Sequence, residues 1–131
     1  TMQLVMARHS RWTRYPRFDP FQVNTSLARI LICTHTNSAA DLYIERYFDD
    51  FARRHGINIC RCYAVSQGRS TNSVARNYAL FNSDGTLRLP TKQDLEQSSV
   101  VIATLSMAHT LRKLDVDSAL FTHIFIDEGG Q

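Results

Sequence analysis

Near its end the chain runs His123-Ile124-Phe125-Ile126 into Asp127 and Glu128, followed by Gly129-Gly130-Gln131. Three apolar residues that give way at once to two carboxylates describe a buried strand delivering an acidic pair to its carboxyl end. An acidic pair so placed can do phosphoryl chemistry. One carboxylate holds Mg²⁺ through its water shell, and the other polarises the water that attacks a phosphoryl group. The same pattern also fits a strand ending in a surface turn, so the pair alone does not decide the matter.

Two further stretches carry polar groups to the end of an apolar run. Ile32-Cys33-Thr34-His35-Thr36-Asn37-Ser38 and Ile102-Ala103-Thr104-Leu105-Ser106 each pass from a strand, through Thr, into a small polar turn and a helix. In a parallel sheet both turns emerge on the edge that carries Asp127 and Glu128. Hydroxyls, an amide and helix N–H groups there suit phosphate oxygens. Helix capping is the plainer use of these residue types. The two uses are compatible, because a capped turn keeps spare donors.

The elements that must position these groups follow from periodicity. Arg29 to Thr34, Ser99 to Thr104 and Phe121 to Asp127 read as buried strands, and Ile57 to Val65 as another. Ala40, Tyr43, Ile44, Tyr47, Phe48 and Phe51 form one apolar stripe of a helix that Asn37 or Ser38 caps and Gly56 closes. Thr91 and Asp94 form a capping box for a short helix through Gln97. Ser106 caps another helix, through Leu114. Residues 2–7 read as the end of a helix. Ser66 to Leu89 reads as a polar loop with one short element around Val74–Phe81. Strands alternating with helices imply a parallel α/β sheet.

Composition sets the outer bounds. At 131 residues with 44% hydrophobic and 21% charged residues, the chain suits one soluble globular domain. No apolar run approaches the roughly 18–20 residues of a membrane span, and no secretory signal pattern is present. Three cysteines, an odd number, argue for a reducing compartment rather than a disulfide framework. Cys60 and Cys62 would share one strand face, but no second Cys/His pair stands at zinc spacing. Thirteen of fifteen basic residues are Arg. That preference permits a polyanionic partner without requiring one.

Thr34-His35-Thr36-Asn37 and its surroundings (THTNSAADLYIE), VVIATLSMAHTL and FTHIFIDEGGQ, in this order and spacing, closely resemble the first RecA-like domain of superfamily 1 RNA helicases. The resemblance is nearest to the helicase-with-zinc-finger group and covers roughly residues 29–131. It implies a P-loop NTPase (RecA-like) fold, a parallel sheet flanked by helices, incomplete in these 131 residues. It also implies an ATP-dependent enzyme of the cytoplasm that moves along or unwinds RNA, with ATP and Mg²⁺ as cofactors. Single-stranded RNA and other mRNP proteins are the implied partners. By this resemblance Thr36, Asn37, Ser38 and Thr104 contact the RNA strand. Asp127 is the Mg²⁺-ligating acid, Glu128 the catalytic base, and Gln131 the glutamine near the γ-phosphate.

The chain departs from that pattern in two places. Gly129 and Gly130 stand where the family has Ala-Ala or a close variant, which loosens the turn that carries Gln131. No Gly-Lys-Thr phosphate loop occurs in the 131 residues. Residues 1–7 resemble the start of the helix that follows such a loop, which would make Thr1 its Mg²⁺-ligating hydroxyl. These residues by themselves are therefore expected to lack ATP turnover, and loss of the phosphate-loop strand is expected to leave neighbouring strands unpaired. Residues 1–28 would then hold the end of that helix and a basic, aromatic insertion. There Arg8, Arg11, Arg14 and Arg17 interleave with Trp12, Tyr15, Phe18 and Phe21, either as a solvated loop or as a stack for exposed bases.

Two rivals differ in class. A degenerate helicase would clamp RNA without ATP turnover. An unrelated dinucleotide-binding α/β domain needs a glycine-rich turn after a strand, and the isolated Gly68 and Gly85 do not supply one.

Overall fold

The computed structural model of the chain describes residues 2–5, 28–65, 72–117 and 119–127. Its centre is a five-stranded sheet: β1 (Met2–Val5), β2 (Ile30–Thr34), β3 (Ile59–Arg61), β4 (Val100–Thr104) and β5 (His123–Asp127), in the order β1-β5-β2-β4-β3. β5, β2, β4 and β3 are mutually parallel, and β1 joins β5 antiparallel. Helices α1 (Asn37–Tyr43), α2 (Asp49–His55), α3 (Ser73–Arg76), α4 (Lys92–Gln97) and α5 (Leu105–Leu111) fill the connections. This is the α/β architecture that the strand–helix alternation predicts.

The central strands are apolar along their whole length because both faces are covered. Leu31, Cys33, Val101 and Ala103 pack with Leu95 of α4 and with Met107 and Leu111 of α5 on one face. Their neighbours Ile30, Ile32, Val100 and Ile102 pack with Ala40, Ile44 and Ala75 on the other. Cys60 and Cys62 do share a face, with their sulfurs 3.6 Å apart inside the first cluster. Burial pushes the Cys33 thiol up to about 11.

Several local expectations need correction. Met2–Val5 is a strand, not the end of a helix, and its residues pair Met2 with Asp127 through Val5 with Ile124. The outer edge of β5 therefore has backbone partners, where unpaired groups were expected; ladder pairing satisfies N–H and C=O groups that a four-residue helix end could not. The helix after β2 is capped by the Thr36 hydroxyl, which accepts from Ala39 N–H at 3.1 Å, rather than by Asn37 or Ser38. It is interrupted by a π-helical turn, Ile44–Phe48, before α2. The extra residue in that turn changes the phase of the stripe, so Tyr47 is 64% exposed while Asp49 is buried. The helix after β4 begins two residues earlier than expected, with Thr104 in place of Ser106 as its cap, and it ends at Leu111. β3 keeps only three residues of the 57–65 run. Its outer edge is met by Ala79, which bridges Arg61. Gly56, in the left-handed region at φ +64°, ends α2 as predicted, and Thr91 with Asp94 forms the predicted capping box.

Candidate nucleotide and nucleic-acid rim

The carboxyl ends of the parallel strands assemble one polar row. In register, Thr34 of β2 lies between Asp127 of β5 and Thr104 of β4. Two positions back, and so on the same face, Ile102 of β4 is opposite Arg61 of β3. Paired residues in a parallel ladder point to the same face, so Asp127, Thr34, Thr104 and Arg61 all face the layer of α1. Adjacent strands lie about 4.8 Å apart, which puts the Asp127 and Thr104 backbones about 10 Å from each other. The acid and both hydroxyl-bearing turns therefore share one rim.

The turn after β2 is held from below. Thr34, wholly buried, donates its hydroxyl to the Thr36 carbonyl at 2.8 Å, while the Thr36 side chain caps α1. Asn37 and Ser38 form the first residues of α1, Ser38 exposed and Asn37 half-buried. Thr104 likewise spends its oxygen on capping, accepting from Met107 N–H at 3.2 Å. Both threonines are thus helix caps, and each turn presents its remaining groups outward.

Four residues that motif reasoning did not single out complete the rim. Tyr43, at the end of α1, donates a hydrogen bond to Asp127; burial first, then the carboxylate's charge and that bond, push its phenol up to about 12. Arg61, Asp41 and Tyr63 form a buried network beside Asn37. One signal was available in the sequence. An Arg between two cysteines in an apolar strand requires a buried carboxylate and further acceptors, and Asp41 lies on the adjacent helix.

Among the described residues no group of three or more His, Cys, Asp or Glu could cage a metal. Among the described residues, Asp127 is the carboxylate at the strand ends of this rim. That fits a Mg²⁺ held by one or two carboxylates with retained waters and substrate phosphates, rather than a protein-only site. Glu128, Gln131, Thr1, Gly129-Gly130 and the Arg/aromatic segment from Arg8 to Phe21 lie outside the described residues.

Over 108 residues, 79% of the chain, the sequence is 36% identical to the probable helicase with zinc finger domain of Danio rerio. It is 38% identical over 107 residues to the protein of the same description from Homo sapiens. The chain belongs to this helicase family. The putative helicase mov-10-B.1 of Danio rerio shares 34% identity over 82% of the chain. The helicase-family chain spans a small share of these relatives, 6%, 6% and 10% of their lengths respectively. No family model and no solved structure matches it. No helix among the described residues is long and apolar enough to cross a membrane.

Proposed function

We propose that the chain belongs to the first RecA-like domain of an ATP-dependent RNA helicase, coupling ATP hydrolysis to movement or unwinding on RNA. One observation carries this reading: the in-register row of Asp127, Thr34 and Thr104 at the carboxyl rim of a single parallel sheet. Ligands of open α/β sheets bind at that rim. Asp127 would hold Mg²⁺ through water and Glu128 would act as base, with Gln131 beside the γ-phosphate; Thr1 has no part in this reading, because the helix that would have made it a metal ligand is the strand Met2–Val5. Thr36, Asn37, Ser38 and Thr104 follow the RNA backbone rather than its bases, which makes binding tolerant of sequence and sensitive to salt. Bound Mg²⁺ would neutralise charge on the phosphates during transfer. The chain's own part is to fix the acid: Tyr43 holds Asp127, and pairing on both sides of β5 holds its backbone.

Steady-state ATP hydrolysis by the full-length protein, with single-stranded RNA and Mg²⁺, tests this reading. Glu128→Gln should lower turnover by at least about a hundredfold while RNA affinity stays within about twofold. The family's Ala-Ala is replaced here by Gly129-Gly130, and that substitution favours a second reading, an RNA clamp without turnover. Equal and negligible hydrolysis by wild type and Glu128→Gln, with RNA binding intact, would select the clamp.

A further inference from the structure

Arg61 stands on β3 with its side chain fully buried. Every side of its guanidinium is engaged. Nε donates to Asp41 Oδ1 at 2.8 Å and Nη1 to the Cys62 carbonyl at 2.6 Å. Nη2 donates to Asn37 Oδ1 at 2.9 Å and reaches the Asn37 carbonyl at 3.4 Å. The plane lies 3.9 Å over the Tyr63 ring, whose hydroxyl donates to the same Asp41 oxygen at 2.7 Å. The network ties β3 to the first turn of α1.

We infer that Arg61 is a positioning residue for Asn37, and that it turns the Asn37 amide into a dedicated hydrogen-bond donor for phosphodiester oxygens of single-stranded RNA. The inference rests on the RNA reading above. A guanidinium has five donors and no acceptor, whereas an amide can offer either its oxygen or its NH₂. Facing Arg61, the amide must present oxygen, because the flipped rotamer would set donor against donor. Nδ2 and its two hydrogens therefore lie on the side away from the buried guanidinium. An exposed asparagine pays little to flip and serves donors and acceptors alike. This one is held to one orientation, which matches a ligand that only accepts.

The charge balance supports orientation over attraction. Asp41 neutralises Arg61 within the network, so little net field is left to draw a polyanion. Buried ion pairs can often be replaced by apolar side chains without loss of stability, and their best-attested use is to specify geometry. Here the geometry specified is that of the residue on the rim.

Anisotropy of a fluorescein-labelled oligouridylate with the full-length protein, over a salt series, tests the inference, with thermal unfolding as the folding check. Asn37→Ala and Arg61→Lys should each weaken binding about fivefold, the loss of one neutral hydrogen bond. The double variant should be no weaker than Asn37→Ala alone, since Arg61 acts through Asn37. The slope of log affinity against log salt should not change in these variants, because no cationic phosphate contact is lost. Asn37→Asp keeps an acceptor for Arg61 and should melt at or above the wild-type temperature, yet bind at least as weakly as Asn37→Ala. It decides the matter alone if Arg61→Lys does not fold. Equal weakening by Arg61→Lys in both backgrounds, or wild-type binding by Asn37→Asp, would overturn the positioning role. Failure of the wild type to bind oligouridylate at low salt would instead remove the RNA reading beneath it.

Discussion

Tyr43 donates a hydrogen bond to the Asp127 carboxylate, a contact that favours one orientation of the acid at the strand end. The phenol is protonated up to about 12, so the bond it donates persists across the physiological range. A hydrogen bond to a charged group contributes about 1.5–3 kcal/mol, and losing it should leave the acid less well oriented for the Mg²⁺ proposed to bind there. Tyr43→Phe keeps the ring in place against the sheet and removes only the hydroxyl. In RNA-stimulated ATP hydrolysis it should raise the Mg²⁺ concentration needed for half-maximal rate about tenfold, with oligouridylate affinity unchanged. A wild-type Mg²⁺ requirement would mean that the contact does nothing for the site. Tyr43 was legible in the sequence only as a member of an apolar stripe. Its second role was hidden because α1 and β5 are eighty residues apart and meet only in the fold.

At the scale of elements, apolar runs and punctuation carried well, and boundaries carried poorly. Gly56 and the Thr91–Asp94 box were readable because one residue type dominates each geometry. At φ +64°, and with nothing within 4 Å of an added Cβ, Gly56 is needed for its backbone alone. Gly56→Ala should therefore cost about 1–2 kcal/mol in chemical denaturation, and a neutral result would show that this helix end adjusts freely. Asp94 serves both the cap and Arg88, to which it bonds at 2.6 and 3.0 Å. The Arg88 bond chiefly, with the Thr91 bonds, holds its carboxyl far below the usual 3.8. A depressed acid contributes stability that is complete above its ordinary value and is lost as pH falls below it. Wild type should thus melt above Asp94→Asn near pH 7, and the gap should narrow below about pH 4. A gap independent of pH would assign the effect to packing. The π-helical turn at Ile44–Phe48 left no such mark, since nothing in the residue types distinguishes a widened turn from a regular one. The same ambiguity hid β1, where three apolar residues around Gln3 suit a helix end as well as a strand.

Across the whole molecule, parallel register brings three separate motifs to one rim. Thr34 aligns with both Thr104 and Asp127, so groups far apart in the chain meet within about 10 Å. Alternating strands and helices made that rim predictable, because right-handed crossovers return each strand in the same direction. The buried Arg61–Asp41–Tyr63 network was not predictable in the same way, since it depends on which face α1 presents to β3. A shared rim also implies linked ligands: whatever orders Asp127 through Tyr43 acts on the helix whose first turn bears Asn37. Linkage of this kind is typically worth five- to 150-fold in affinity, about 1–3 kcal/mol. The decisive measurement is oligouridylate affinity of the full-length protein with and without Mg²⁺ and a non-hydrolysable ATP analogue, for wild type and Asp127→Asn. The account predicts a shift of at least about fivefold in wild type that Asp127→Asn abolishes. An affinity indifferent to the nucleotide, or a shift that survives Asp127→Asn, would contradict it.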